Sequence, residues 1–159
     1  MTVTVTRPRR TAETAAAVVT EFFDRYRDHD VEAMTDLCSL NADFSYVPFE
    51  IWGKQRVLRG DGKVRTVGKT LWRGLIHAFP DLTNEVRSVD ANDDGDVVVQ
   101  VDIGGTQQLA WGFAAPTGRA YSEPHLFIFR VGEDGLIDSV TAYWDNAGIS
   151  RQLGHNEVD

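Results

Sequence analysis

The sequence of 159 residues predicts an α+β fold, with helices early in the chain and antiparallel strands after them. Two observations carry this. Apolar residues recur at spacings of three and four in the early segments, and from Thr83 onward the period drops to two. Turn signals at Asn92–Gly95 and Glu133–Gly135 then separate the strand segments. No internal repeat or long linker divides the chain, so a single domain over 11–159, preceded by a Thr-, Val- and Pro-rich flexible tail over 1–10, is expected.

Thr11 is placed to cap the first helix, with Glu13 near its positive end. Ala15, Val18, Val19, Phe22, Phe23 and Tyr26 form one apolar stripe on a helix running to about Asp28. Asp30 can cap a shorter second helix whose inner face is Met34, Leu37 and Cys38. Phe44 to Phe49 reads as a strand that stops at Pro48. The stretch from Ile51 to Thr66 reads as a loop, with glycines among Lys54, Arg56, Arg59, Lys63 and Arg65, which is either solvated surface or a contact for an anionic group on a ligand. Leu71, Trp72, Leu75, Ile76 and Phe79 signal a third helix that Pro80 ends. Strands follow at Thr83–Ala91, Val97–Ile103, Tyr121–Val131 and Leu136–Trp144. In the second of these, Val97, Val99, Val101 and Ile103 share one face, and Val98, Gln100 and Asp102 share the other.

Composition limits the partners. A net charge of −8, with 42% hydrophobic and 25% charged residues, argues against nucleic acid or an anionic membrane as the main partner. Cys38 is the single cysteine, which rules out an intramolecular disulfide or a thiolate cluster and points to a reducing cytoplasm. No run approaches the ~20 apolar residues of a membrane span. No His, Asp or Glu grouping has metal-ligand spacing and no Gly-rich strand-to-helix turn marks a nucleotide site, so cofactor-free chemistry is the enzymatic expectation.

Particular words then matter: Ala78-Phe79-Pro80-Asp81 closing the third helix, Gly95-Asp96-Val97-Val98 opening a strand, and Pro116-Thr117-Gly118-Arg119 at a hairpin. Glu133-Asp134-Gly135 marks the next turn and Tyr143-Trp144-Asp145 closes the last strand. In this order they resemble the SnoaL-like polyketide cyclases and the limonene-epoxide-hydrolase-like branch of the nuclear-transport-factor-2-like superfamily, over about Thr11 to Gly154. The resemblance implies a cone-shaped, barrel-like domain whose strongly curved antiparallel sheet wraps three N-terminal helices around an internal pocket. It also implies a homodimer through the outer sheet face, to which the apolar Val97–Ile103 stripe is assigned.

Fold alone does not give activity, because this superfamily holds several chemistries. Relatives of the isomerase kind keep a Tyr and two Asp where this sequence has Phe22, Val47 and Phe127, none of which moves a proton. Epoxide-hydrolase-like relatives keep Arg, Asp and Asp where this chain has Gln100, Asp102 and Ala142. Aldol cyclases again place their Asp at Ala142, with a His at Val140. Asp145 suits capping of a short following helix better than catalysis.

The remaining polar groups define the expected site. Strand parity turns Glu123, His125 and Phe127 inward, and a carboxylate there can orient the imidazole and raise its pKa. Asp102 is the expected partner of His125, Glu123 an assisting group, and Tyr46 a phenolic proton donor. Phe22, Tyr26, Val47, Trp72, Gln100, Phe127, Ala142 and Trp144 are expected to bind substrate. The leading reading is a cofactor-independent cyclase or isomerase for a small apolar metabolite, such as a polyketide or prenylated aromatic intermediate. Two alternatives stand beside it: a non-catalytic binding or dimerisation module, and an epoxide hydrolase with rearranged groups.

Overall fold

A computed structural model describes residues 10–155 apart from 53, 58, 59, 112 and 113, and the side chains of 48–59 are not described. Most of the expected 1–10 tail and the side chains of Lys54, Arg56 and Arg59 therefore lie outside the described residues.

Helix α1 (Ala12–Arg27) starts where expected: the Thr11 hydroxyl accepts from the Thr14 amide, and the Thr14 hydroxyl accepts in return from the Thr11 amide. Ala15, Val19, Phe22, Phe23 and Tyr26 are its buried stripe. Asp30 caps α2 (Val31–Asp36) through the Ala33 amide at 3.0 Å. Helix α3 (Lys69–Ala78) is entered through one π-helical turn, Val64–Gly68, and ends ahead of Pro80. Asp145 caps α4 (Asn146–Gln152), its carboxylate accepting from the Gly148 amide at 3.0 Å, which is the structural role expected for it.

Among the described residues seven strands make one open sheet: β1 (Cys38–Trp52), β2 (Lys54–Val57), β3 (Gly60–Lys63), β4 (Thr83–Ala91), β5 (Asp96–Thr106), β6 (Ala120–Val131) and β7 (Ile137–Asp145). Their order is β2-β1-β7-β6-β5-β4, with β3 also pairing β1. Every pairing is antiparallel except β1 with β7, which brings the first strand back beside the last. The expected strand at Phe44–Phe49 is thus much longer, and Pro48 does not stop it. Pro48 sits where β1 lacks a second neighbour, since pairing with β3 ends at Tyr46 and pairing with β2 begins at Phe49. Most of the expected loop from 51 to 66 is likewise ordered as β2, β3 and the start of the π turn, because the exposed edge of β1 offers its backbone groups to whatever follows.

The sheet's inner face is a series of cross-strand rows. Phe44, Val140 and Phe129 share one row; Tyr46, Ala142, Phe127 and Val99 the next; Trp144, His125 and Val101 the third. Against them α1 presents Phe22 and Phe23, whose rings meet Phe129 at 5.2 and 5.7 Å. Val97, Val99, Val101 and Ile103 belong to this buried face. Assigning that stripe to a dimer contact is therefore corrected: the helices of the same chain cover it. The opposite face carries Gln100, Asp102, Leu126 and Ile128, all at least partly exposed. Among the described residues no helix is long and apolar enough to cross a membrane.

Candidate active site

Between the sheet and the helices, beside the aromatic core, lies a narrow cavity of about 20 Å³. Its sheet side is Phe127, Ala142, Trp144 and His125. Leu71, Trp72 and Leu75 of α3 face them, and Ile149 of α4 contributes to the lining. The chamber is narrow and almost wholly apolar. Tyr26, Trp72, Phe127, Ala142 and Trp144, which the sequence analysis expects to bind substrate, all line it.

His125 is the polar centre. Its ring is held between Trp144, at 5.6 Å and 17° from coplanar, and Phe127, at 6.2 Å and 20°. Nδ1 lies 2.8 Å from the Glu123 carbonyl oxygen. A carbonyl can only accept, so Nδ1 carries the proton and Nε2 keeps its lone pair in the neutral ring. Burial pushes the imidazole pKa down to about 4, against smaller upward pulls from the Glu123 carbonyl and Asp102. The ring is a neutral acceptor at working pH, the reverse of the raised pKa that a carboxylate partner was expected to cause.

Neither carboxylate serves it directly. Glu123 faces inward by parity, but its carboxylate accepts from the Gln152 amide at 2.8 Å, so it ties down α4. Partial desolvation raises its pKa. Asp102 lies on the outer face in register with Pro124, and it pairs with Arg87 at 2.6 Å. The expected Asp102–His125 dyad is thus corrected: alternation along β5 and β6 puts the two side chains on opposite faces of the sheet. Gln100 is on the outer face and exposed for the same reason.

Tyr46 points inward, but its ring stacks on Trp144 at 6.0 Å and lines a separate, wider groove with Thr66, Val67 and Thr70. A side chain at Gly60 would collide with that ring, which explains the glycine. Val47 takes the opposite face, beside Tyr143, and leaves the substrate list. Phe22 leaves it too: it is fully buried among Phe23, Trp72 and Phe129, beneath the cavity rather than along it. Cys38 is no nucleophile, since burial lifts its thiol to about 12. Among the described residues no group of three His, Cys, Asp or Glu could hold a metal.

Sequence reasoning missed Tyr121. It lines the chamber, buried against Phe79 at 5.1 Å. The parity that turns Glu123 and His125 inward also covers Tyr121, two residues earlier, so the signal was present. Trp111 and Ile149 were missed for a different reason. They come from a loop and from α4, where no alternation assigns a face.

Residues 19–140 match the SnoaL-like domain. The chain belongs to the SnoaL-like family. No curated protein matches the sequence. Among solved structures, AclR, a candidate hydroxylase from Streptomyces galilaeus, superposes with a TM-score of 0.73 at 19% identity over 92% of this chain and 88% of its own. IdmH from Streptomyces antibioticus, a candidate polyketide cyclase, gives 0.69 at 22% identity over 88% and 98%. SalBIII, an epoxide hydrolase/cyclase-like enzyme in pyran ring formation in the polyether salinomycin, gives 0.62 at 21% identity over 86% and 94%. At these identities the likeness establishes the shared fold. In this SnoaL-like chain the buried face of β7 consists of Ile137, Val140, Ala142 and Trp144, none of which carries an acid or base.

Proposed function

We propose that this SnoaL-like chain is a cofactor-independent cyclase or isomerase for a neutral, largely apolar metabolite, with His125 as its general base. The observation that carries the reading is His125 in the lining of an apolar chamber, with Nδ1 2.8 Å from the Glu123 carbonyl oxygen, a contact that leaves Nε2 as the unprotonated nitrogen of the neutral ring. A fixed tautomer and a water-poor chamber make such an imidazole a proton acceptor at a defined place.

The reaction class that fits is proton removal next to a ketone. The C–H bond alpha to the carbonyl breaks and its proton moves to Nε2. The electron pair passes through the new C=C bond to the carbonyl oxygen, giving an enolate beside an imidazolium. The enolate carbon then bonds to a second carbonyl carbon of the same molecule, and Nε2–H returns its proton to the oxygen formed there. No oxidant or reductant is required. The aromatic walls would hold the chain folded so that the two carbons meet, which converts a loose encounter into an intramolecular step. A base with a pKa of about 4 is weak, so it suits an acidic C–H, such as one flanked by two carbonyls or by a carbonyl and an aromatic ring. The names borne by IdmH and SalBIII are consistent with ring-forming chemistry of this kind.

The test is hydrogen–deuterium exchange at C1 of 2-tetralone in D₂O, followed by NMR. Wild type is expected to accelerate exchange over buffer, and His125→Phe to lose at least tenfold of that acceleration. Equal rates in the two proteins would refute His125 as the base. Saturable binding of 2-tetralone without any exchange would favour the second reading, a binding module, which the absence of a carboxylate on the inner face of β7 supports.

A further inference from the structure

Two phenols enter the same chamber as His125 from different elements: Tyr26 from the last turn of α1 and Tyr121 from the start of β6. Both rings are buried. Neither hydroxyl has a hydrogen-bond partner among the described residues, and neither is among the fully buried polar atoms that lack one. Each phenol is held firmly protonated by burial, and charge on Tyr121 would push Tyr26 higher still. Asp81, near Tyr121, acts in the same direction.

We propose that Tyr26 and Tyr121 are the oxyanion donors of this chamber: their hydroxyls receive the carbonyl oxygen of the ligand while His125 takes the adjacent proton. This rests on the His125 reading above and completes it, because an enolate needs stabilisation at oxygen as well as a base at carbon. The phenols donate hydrogen bonds without surrendering their protons, and the apolar walls strengthen those bonds relative to water. Among the described residues the cavity lining contains no Lys or Arg side chain, so the site favours a ligand that enters neutral and develops charge only during reaction. An obligate anion, such as a carboxylate, would meet two donors but no counter-charge. The ligand class this selects is an uncharged aryl or polyenyl ketone, or the phenol that corresponds to its enol form.

The probe is 4-nitrophenol, whose bound anion is read from its visible absorbance. Titrated in the presence of excess protein, the bound phenol should ionise more readily in wild type than in Tyr26→Phe or Tyr121→Phe. Each variant is expected to lower the ratio of bound anion to bound neutral form about tenfold at a given pH, and the double variant to lower it further. Thermal unfolding supplies the second readout. Removing an unpartnered hydroxyl should leave the melting midpoint unchanged or raised, whereas removing a structural hydrogen bond would lower it. The same ionisation ratio in wild type and both single variants would overturn the proposal. So would a clear fall in melting midpoint for both variants, or no saturable binding of 4-nitrophenol by wild type. Failure of the base reading is seen separately. If 2-tetralone exchange is indifferent to His125→Phe while the nitrophenol ratio still depends on the two tyrosines, the donors stand and the base is wrong.

Discussion

Acidification from pH 8 to pH 5 is expected to cost the native state about 2 kcal/mol through His125 alone. The folded imidazole has a pKa of about 4 because the buried ring loses hydration when charged, while in the unfolded chain it returns to 6.5. Between those values the unfolded state binds a proton that the folded state refuses. Stability therefore rises with pH across this window and is lost as pH falls through it, levelling off below about 4. A tenfold difference in proton affinity is worth about 1.4 kcal/mol, so the full effect is roughly 3 kcal/mol, of which about 2 is already felt at pH 5.

The assay is urea unfolding of wild type and His125→Phe at pH 8, 6.5 and 5. Phenylalanine keeps a flat ring between Trp144 and Phe127 but cannot titrate. Other ionisable groups contribute equally to both proteins, so the difference between the two stability–pH curves isolates the imidazole. At a typical urea dependence for a small domain, 2 kcal/mol moves the wild-type midpoint by roughly 1 M relative to the variant. A difference curve flat to within about 0.5 kcal/mol, against the 2 expected, would refute the reasoning. It would mean that the folded imidazole titrates near its unfolded value, and hence that water or a charged group reaches it.

Four further outcomes follow from the same geometry. Glu123→Gln keeps a hydrogen-bonding partner for Gln152 and removes a carboxylate whose pKa desolvation raises, so the variant should gain stability over wild type as pH rises above 4.5 and lose that advantage in acid, measured by urea unfolding. Asp102→Asn should leave 2-tetralone exchange within twofold of wild type, since its carboxylate serves Arg87 on the outer face; a tenfold loss would restore it to the site. Ala142→Leu should fill the chamber and abolish saturable 4-nitrophenol binding while the far-ultraviolet circular dichroism spectrum stays unchanged. Asp145→Ala removes the α4 cap and is expected to cost about 1 kcal/mol in urea unfolding.

Much of the fold is legible in the sequence because its signals are local. Thr11, Asp30 and Pro80 are helix punctuation that acts over three or four residues, and each does in the structure what its chemistry implies. Parity within a strand is legible too, which is why Glu123, His125 and Phe127 are expected on the correct face. What parity cannot supply is which face of one strand meets which face of another. The expected site requires the polar face of β5 to turn inward, although Val97 to Ile103 is the better core surface, and that one inversion sends Gln100 and Asp102 into a cavity they do not reach. The extent of β1 is hidden because its pairing with β7 joins residues about a hundred apart, and because Pro48 is harmless only in the gap between β2 and β3.

The correction at Asp102 changes the chemistry as well as the inventory. A dyad with a buried carboxylate would have raised the imidazole pKa and given the chamber a standing negative charge. The chamber instead contains a neutral imidazole and two neutral phenols, all kept uncharged by the same desolvation. Ionising any one of them alone is costly, yet an imidazolium and an enolate formed together offset one another within the cavity. Such a site resists binding ions from solution and tolerates charge only as a pair created by proton transfer inside it. On the function proposed above, that would select for substrates whose reactive proton and receiving oxygen belong to the same small molecule, as in an intramolecular condensation of a neutral polycarbonyl chain.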